Sequence, residues 1–187
     1  EVQYPAPGSM ELAKRIQDTL HPIHVELDHS WGFDHAAWTV LSVIYPQADI
    51  PVVQLSMDAS KPISWHYEVG RALRPLREEG FCILGSGNVV HTLAQMEWNI
   101  NAQPHDWADR FNDLVINVIE TDTPERLFDH EALGQDAALS IPPPDLGHYW
   151  PLFYVLGARH SGDKLTMNPR HVQYKSLSMM SFVLDST

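Results

Sequence analysis

Histidine is the side chain that gains and loses its proton near neutral pH, and its ring nitrogens also bind transition metals. Four histidines in this chain stand beside aromatic or turn residues: Gly32-Phe33-Asp34-His35, Ser64-Trp65-His66, Val90-His91-Thr92 and Gly147-His148-Tyr149-Trp150. Of these, His91 has the most suggestive setting. An apolar run, Phe81-Cys82-Ile83-Leu84, reads as a buried strand that stops at Gly85-Ser86-Gly87, where glycine permits backbone angles closed to other residues. Asn88, Val89 and Val90 then lead to His91. In open α/β folds ligands bind beyond the carboxyl ends of strands, so a histidine at such a place is a candidate acid or base. On these residues alone, a catalytic histidine and a glycine turn followed by a packed histidine are equally supported.

The other histidines weigh differently. His148 follows Pro142-Pro143-Pro144-Asp145-Leu146-Gly147 and opens an apolar helical segment, which fits either a ring facing a cleft or one packed among Tyr149 and its neighbours. His35 follows Asp34, a residue suited to capping a helix, and both are common at helix starts. His66 shares a helix with Ile63, Val69 and Leu73 and reads as structural, and the remaining histidines show no partner pattern. No zinc-finger spacing and no HExxH occurs, which excludes the simplest structural-zinc and metalloprotease readings. Gly85-Ser86-Gly87 lacks the spacing of a phosphate loop, and it is too tight for the G-x-S-x-G elbow of a serine hydrolase.

The elements that must position these residues follow from local signals. Ser9 is a helix cap with Glu11 in the first turn, and Leu12, Ile16 and Leu20 form the apolar face behind it. Asp34 caps a second helix through Ala37, Trp38, Leu41 and Ile44, ended by Pro46. Ser60 and Pro62 open a third, which Pro75 kinks or ends and Gly80 stops. Asp106 starts a helix through Trp107, Phe111, Leu114 and Val118, Thr123-Pro124-Glu125 starts a short one, and residues 145–157 form another. Strands are expected at 24–27, 51–55, 81–84, 172–174 and 177–184. Strand and helix alternate through the first half, so the expected class is α/β, with a central mixed sheet covered by helices on both faces.

Length and charge narrow the rest. A chain of 187 residues, 44% hydrophobic, fits a single domain, residues 1–187. A net charge of −12 argues against nucleic acid and anionic membrane as partners. No apolar run approaches a bilayer span and no signal peptide is visible, so a cytoplasmic location is expected. The single cysteine, Cys82, is expected as a small core residue of the 81–84 strand.

Taken in order, the blocks GFDHAAWTVLSVIYPQADIPVVQLSMD, KPISWHYEVGRAL, GSGNVVHTL, HYWPLFYVLGA and SLSMMSFVL resemble the 4,5-DOPA extradiol dioxygenase family. That family belongs to the class III extradiol ring-cleaving dioxygenases and is related to the protocatechuate 4,5-dioxygenase catalytic subunit. The resemblance implies an α/β fold with a mixed central sheet and one non-haem iron(II), replaced by zinc in some crystals. It implies that His91 is the acid/base histidine, close enough to count as a metal ligand, and that His148 is a ligand where the protocatechuate branch has glutamate. His35 would contact substrate or oxygen, and Asn88, on the His91 loop, is a substrate-binding candidate beside it.

The implied reactants are a DOPA-like catechol and dioxygen. Family members carry two further ligand histidines in a segment ahead of the YPAPG motif, whereas Tyr4 here stands three residues from Glu1. The ligand set is therefore expected to be completed from outside these residues: either they are a fragment or processed piece of a longer chain, or a homo-oligomer or second chain supplies the missing part. Two rival functions are carried alongside: a non-catalytic partner-binding protein on the same fold, and a zinc-dependent hydrolase.

Overall fold

Ser9 caps the first helix as its sequence suggests: its hydroxyl accepts the N–H of Leu12 at 3.1 Å, and α1 runs Met10–Leu20 with Leu20 turned inward. A computed structural model describes residues 3–144 and 146–186 of the chain. These fall into two compact units, Glu1–Asp58 and Ala59–Thr187.

In the first unit, Asp34 caps α2 (His35–Ile44) by accepting the Ala37 N–H at 2.9 Å. The N–H of Asp34 donates to Gln54 Oε1, and that of Val52 to the Pro7 carbonyl, so the chain after α2 folds back on the stretch before α1.

The second unit is built on a helix pair. α3 (Ile63–Leu73) ends before Pro75, which opens the short α4 (Pro75–Glu78), and Gly80 follows with φ +86°. α3 crosses α7 (Trp150–Gly157) closely, because Gly70 and Gly157 leave no Cβ between the backbones: one at Gly70 would stand 2.8 Å from the Tyr154 Cα. Arg74 and Arg77 on the α3–α4 side donate to the Gly157 and Ala158 carbonyls, placing positive charge at the carboxyl end of α7. α5 (Asp106–Thr121) buries Phe111, Val115, Val118 and Ile119 against Tyr149 and Phe153, and α6 (Gln135–Ser140) follows it. Asp145, the first residue of the expected 145–157 helix, lies outside the described residues, and α7 starts at Trp150. His66 is fully buried, its Nδ1 3.0 Å from the Tyr154 hydroxyl, as a structural histidine should be.

The class is α/β, helices with small sheets. β1 (Lys164–Met167) pairs antiparallel with β4 (Phe182–Asp185), and β2 (Val172–Gln173) with β3 (Leu177–Ser178). The apolar run 177–184 is thus two strands, because the chain changes partner at Met179 and Ser181, whose N–H groups donate to His171 and Pro169 carbonyls. Residues 24–27, 51–55 and 81–84 carry no ladder pairing among the described residues. Cys82 is exposed rather than in the core: the 81–84 segment alternates, with Phe81 and Ile83 partly buried and Cys82 and Leu84 outward. No helix among the described residues is long and apolar enough to cross a membrane.

Candidate active site

The loop 85–92 lies against the turn that leads into α7, and two glycines make this possible. The reason is not backbone angle, since neither Gly85 nor Gly87 has positive φ. A Cβ on Gly85 would stand 2.8 Å from the Pro151 carbonyl oxygen, and one on Gly87 would collide with the carbonyl of His148. Glycine is required for close approach, which corrects the turn-angle reading of this segment. The N–H of Asn88 then reaches the His148 carbonyl at 2.7 Å.

This contact brings two of the sequence-predicted histidines together. The rings of His91 and His148 stack with centroids 3.9 Å apart and planes 28° from parallel. Both face a cleft of about 330 Å³ whose remaining walls are Thr92, Leu93, Ala94, Ile141 and Pro142. The cleft therefore has an apolar side, large enough for a small aromatic ring, and an imidazole side.

The backbone around His91 is held from several directions. Its N–H donates to the Ser140 carbonyl at 2.7 Å, and it forms an antiparallel bridge with Leu177 of β3. On either side, Ser178 N–H donates to the Val90 carbonyl, and the buried Ser176 hydroxyl donates to the Thr92 carbonyl at 2.7 Å. The Thr92 hydroxyl donates in turn to the Leu139 carbonyl. The rim after Leu93 is strapped to the β2–β3 turn, where Tyr174 and Lys175 have φ of +51° and +68°. Their carbonyls accept the N–H groups of Glu97 and His105, and Lys175 Nζ lies 2.6 Å from Glu97 Oε2. That ion pair holds the Glu97 carboxyl below its usual pKa.

His35 is the exposed first residue of α2 in the other unit, where its carbonyl accepts the Thr39 hydroxyl. Ile141 and Pro142 of the cleft wall were missed by sequence reasoning, although Pro142 stands in the proline run noted ahead of His148. Ser176 and Ser178 carried no signal, because they act on backbone carbonyls and on an amide remote in sequence.

Two imidazoles side by side offer nitrogen donors of the type that a divalent transition metal takes. No trio of His, Cys, Asp or Glu placed to hold a metal occurs among the described residues. The pair thus fits part of a metal's ligand set, and the described residues do not complete it.

The family model described as the catalytic LigB subunit of aromatic ring-opening dioxygenase matches residues 1–184. A 4,5-DOPA dioxygenase extradiol of Escherichia coli (strain K12) is 45% identical over 188 residues, which cover 97% of this chain and 67% of the relative. A 4,5-DOPA dioxygenase extradiol of Beta vulgaris is 36% identical over 168 residues, 88% of this chain and 61% of the relative. The crystal structure of an uncharacterized protein from Escherichia coli K12 superposes with a TM-score of 0.87 at 43% identity, covering 97% of this chain and 75% of that one. The chain spans about two thirds of the length of the curated relatives it matches. Extradiol dioxygenases of this kind are non-haem metal enzymes. The chain belongs to the LigB family of aromatic ring-opening dioxygenases, and its class of activity is extradiol.

Proposed function

We propose that this chain opens the ring of a DOPA-like catechol beside its two hydroxyls, with dioxygen as co-substrate and iron(II) as the metal. The observation that carries the reading is the His91–His148 pair facing the cleft, in a chain that matches the ring-opening family along its length. In the balanced reaction, the bond between one hydroxylated carbon and its unhydroxylated neighbour breaks. Both atoms of dioxygen enter the product, which carries one new aldehyde and one carboxylate.

The chain's own residues have three tasks in this scheme. His148 would be a nitrogen ligand, fixed by the α7 turn and by the Asn88 N–H on its carbonyl. His91 would take a phenolic proton on a ring nitrogen and return it as the ring opens, a role that needs a side chain able to exchange protons near neutral pH. Leu93, Ala94, Ile141 and Pro142 would flank the ring of the catechol and keep water from it. A metal held in part by His148 would supply Lewis-acid stabilisation of the negative charge that develops on the catechol oxygens. For His35 the support is the GFDH block, not geometry.

The test is reconstitution of the full-length gene product with iron(II) under anaerobic conditions, addition of L-DOPA, and admission of oxygen. Stoichiometric oxygen uptake with a coloured ring-opened product is expected. No uptake and no product would overturn the reading. The family match disfavours the two rivals, a partner-binding scaffold and a zinc hydrolase.

A further inference from the structure

Asn88 stands where the glycine loop meets both histidine-bearing segments, and its N–H and both polar atoms of its side chain are committed to backbone. Its N–H donates to the His148 carbonyl at 2.7 Å. Its Oδ1 accepts the Val90 N–H at 3.1 Å, and its Nδ2 donates to the Ser178 carbonyl at 3.1 Å. The residues lining the cleft do not include it.

Ser178 is itself anchored. Its hydroxyl donates to Oδ1 of the buried Asn112 in α5 at 2.6 Å, and Asn112 Nδ2 donates to the Arg170 carbonyl at 2.8 Å. The residue before Ser178 is Leu177, the bridge partner of His91. Asn88 therefore ties the turn carrying His148 to the strand that pairs with His91, and α5 holds that strand in place.

We infer that Asn88 is a positioning residue: through these three bonds it sets the spacing of His91 and His148, and it does not touch the substrate. This differs from the substrate-binding role first considered for it. The use made of that spacing rests on the ring-opening reading above, whereas the spacing itself does not. Residues that orient metal-site side chains through hydrogen bonds affect metal affinity or activity by about 10–100-fold when removed.

The experiment compares wild type, Asn88→Ala and Asn88→Asp in the full chain, by two readouts. The first is the imidazole proton NMR signals of His91 and His148, which sense the stacked neighbour through its ring current. The second is steady-state turnover of L-DOPA with iron(II). In Asn88→Ala both sets of ring signals should move towards unstacked positions. Its kcat should fall about 10–100-fold while KM stays within about twofold, because an interaction that does not bind substrate leaves KM largely unchanged.

Asn88→Asp keeps the acceptor for Val90 but sets a carboxylate oxygen against the Ser178 carbonyl, so its ring signals should move in the same direction. It supplies the answer if the alanine variant fails to fold. Ring signals unmoved in the folded variants, or a raised KM with the stacking intact, would overturn the inference. If wild type turns over no catechol yet its ring signals still respond to Asn88, the positioning stands and the ring-opening reading falls.

Discussion

The close contact of Gly87 with the α7 turn offers a severe test of how the site is assembled. In Gly87→Ala the new Cβ would collide with the His148 carbonyl and lie 3.0 Å from Pro151 Cγ. Neither neighbour is the far end of a flexible side chain, since one is backbone and the other a proline ring, so the loop itself must move away. Overpacking of this kind costs about 1–3 kcal/mol. Retreat of the loop also weakens the 2.7 Å bond from Asn88 N–H to the His148 carbonyl, which contributes about 1 kcal/mol. Together these give a loss of about 2–4 kcal/mol, or roughly 4–16 °C in Tm for a chain of this size.

The functional loss should be larger than the loss of stability suggests. A displacement of about 1 Å in a catalytic pair can cost about 100-fold in rate. The assays are thermal unfolding and L-DOPA turnover well below the lowered Tm, with Gly32→Ala as control. A Cβ on Gly32 would meet nothing within 4 Å, and that variant should match wild type or gain slightly in Tm. Should Gly87→Ala melt with wild type and turn over at the wild-type rate, the loop would not be held against α7 by close approach, and the account of the glycines would be wrong.

Other expectations address the metal pair, the ion pairs and the buried titrating groups. His148→Ala should lose bound metal, whereas His91→Ala should keep most of it and lose turnover; equal metal loss by elemental analysis would make His91 a full ligand. Arg77→Met leaves the Asp163 carboxylate, 1% exposed and 2.6 Å from Arg77, without its charge partner, and should cost about 3–5 kcal/mol in a denaturant melt. Burial raises the Asp163 pKa, but hydrogen bonds from Arg77 and the His160 N–H outweigh it and leave the pKa below its usual 3.8. That stability is present above pH 3.8 and lost as pH falls through the folded value, so the wild-type acid limb should flatten in Asp163→Asn. Burial lowers the His130 pKa below its usual 6.5, so the unfolded chain takes up the proton first and stability declines as pH drops below 6.5; His130→Leu should remove that slope. The Tyr149 hydroxyl is buried and makes no hydrogen bond among the described residues, so Tyr149→Phe should be neutral or stabilising, and a Tm drop of several degrees would refute this.

What could be read from the sequence divides by the range of the interaction. Ser9 and Asp34 each cap a helix with a partner three residues away, and Pro75 and Gly80 act on their own backbone, so all four were legible. A strand needs a partner elsewhere in the chain. The apolar run at 177–184 could not announce that Ser178 pairs towards β2 and Phe182 towards β1, nor could 81–84 show that it would lack a ladder among the described residues. Cys82 was misplaced for a related reason: an apolar run reports burial on average, and only what packs against each side of an extended segment decides which alternate residues face out.

The site shows the same division in a sharper form. His91 was visible beside its glycines, and His148 beside its prolines, but nothing local to either says that their rings stack. The link is made by Gly85 and Gly87, whose missing β-carbons admit the His148 and Pro151 carbonyls. Asn88 then donates across the gap so created. A glycine chosen for its backbone angle and a glycine chosen for an approaching neighbour look identical in sequence, yet they answer differently to alanine. The first is strained within its own residue, whereas the second transmits its strain to whatever stands opposite, and at Gly87 that is the backbone of a histidine in the candidate active site.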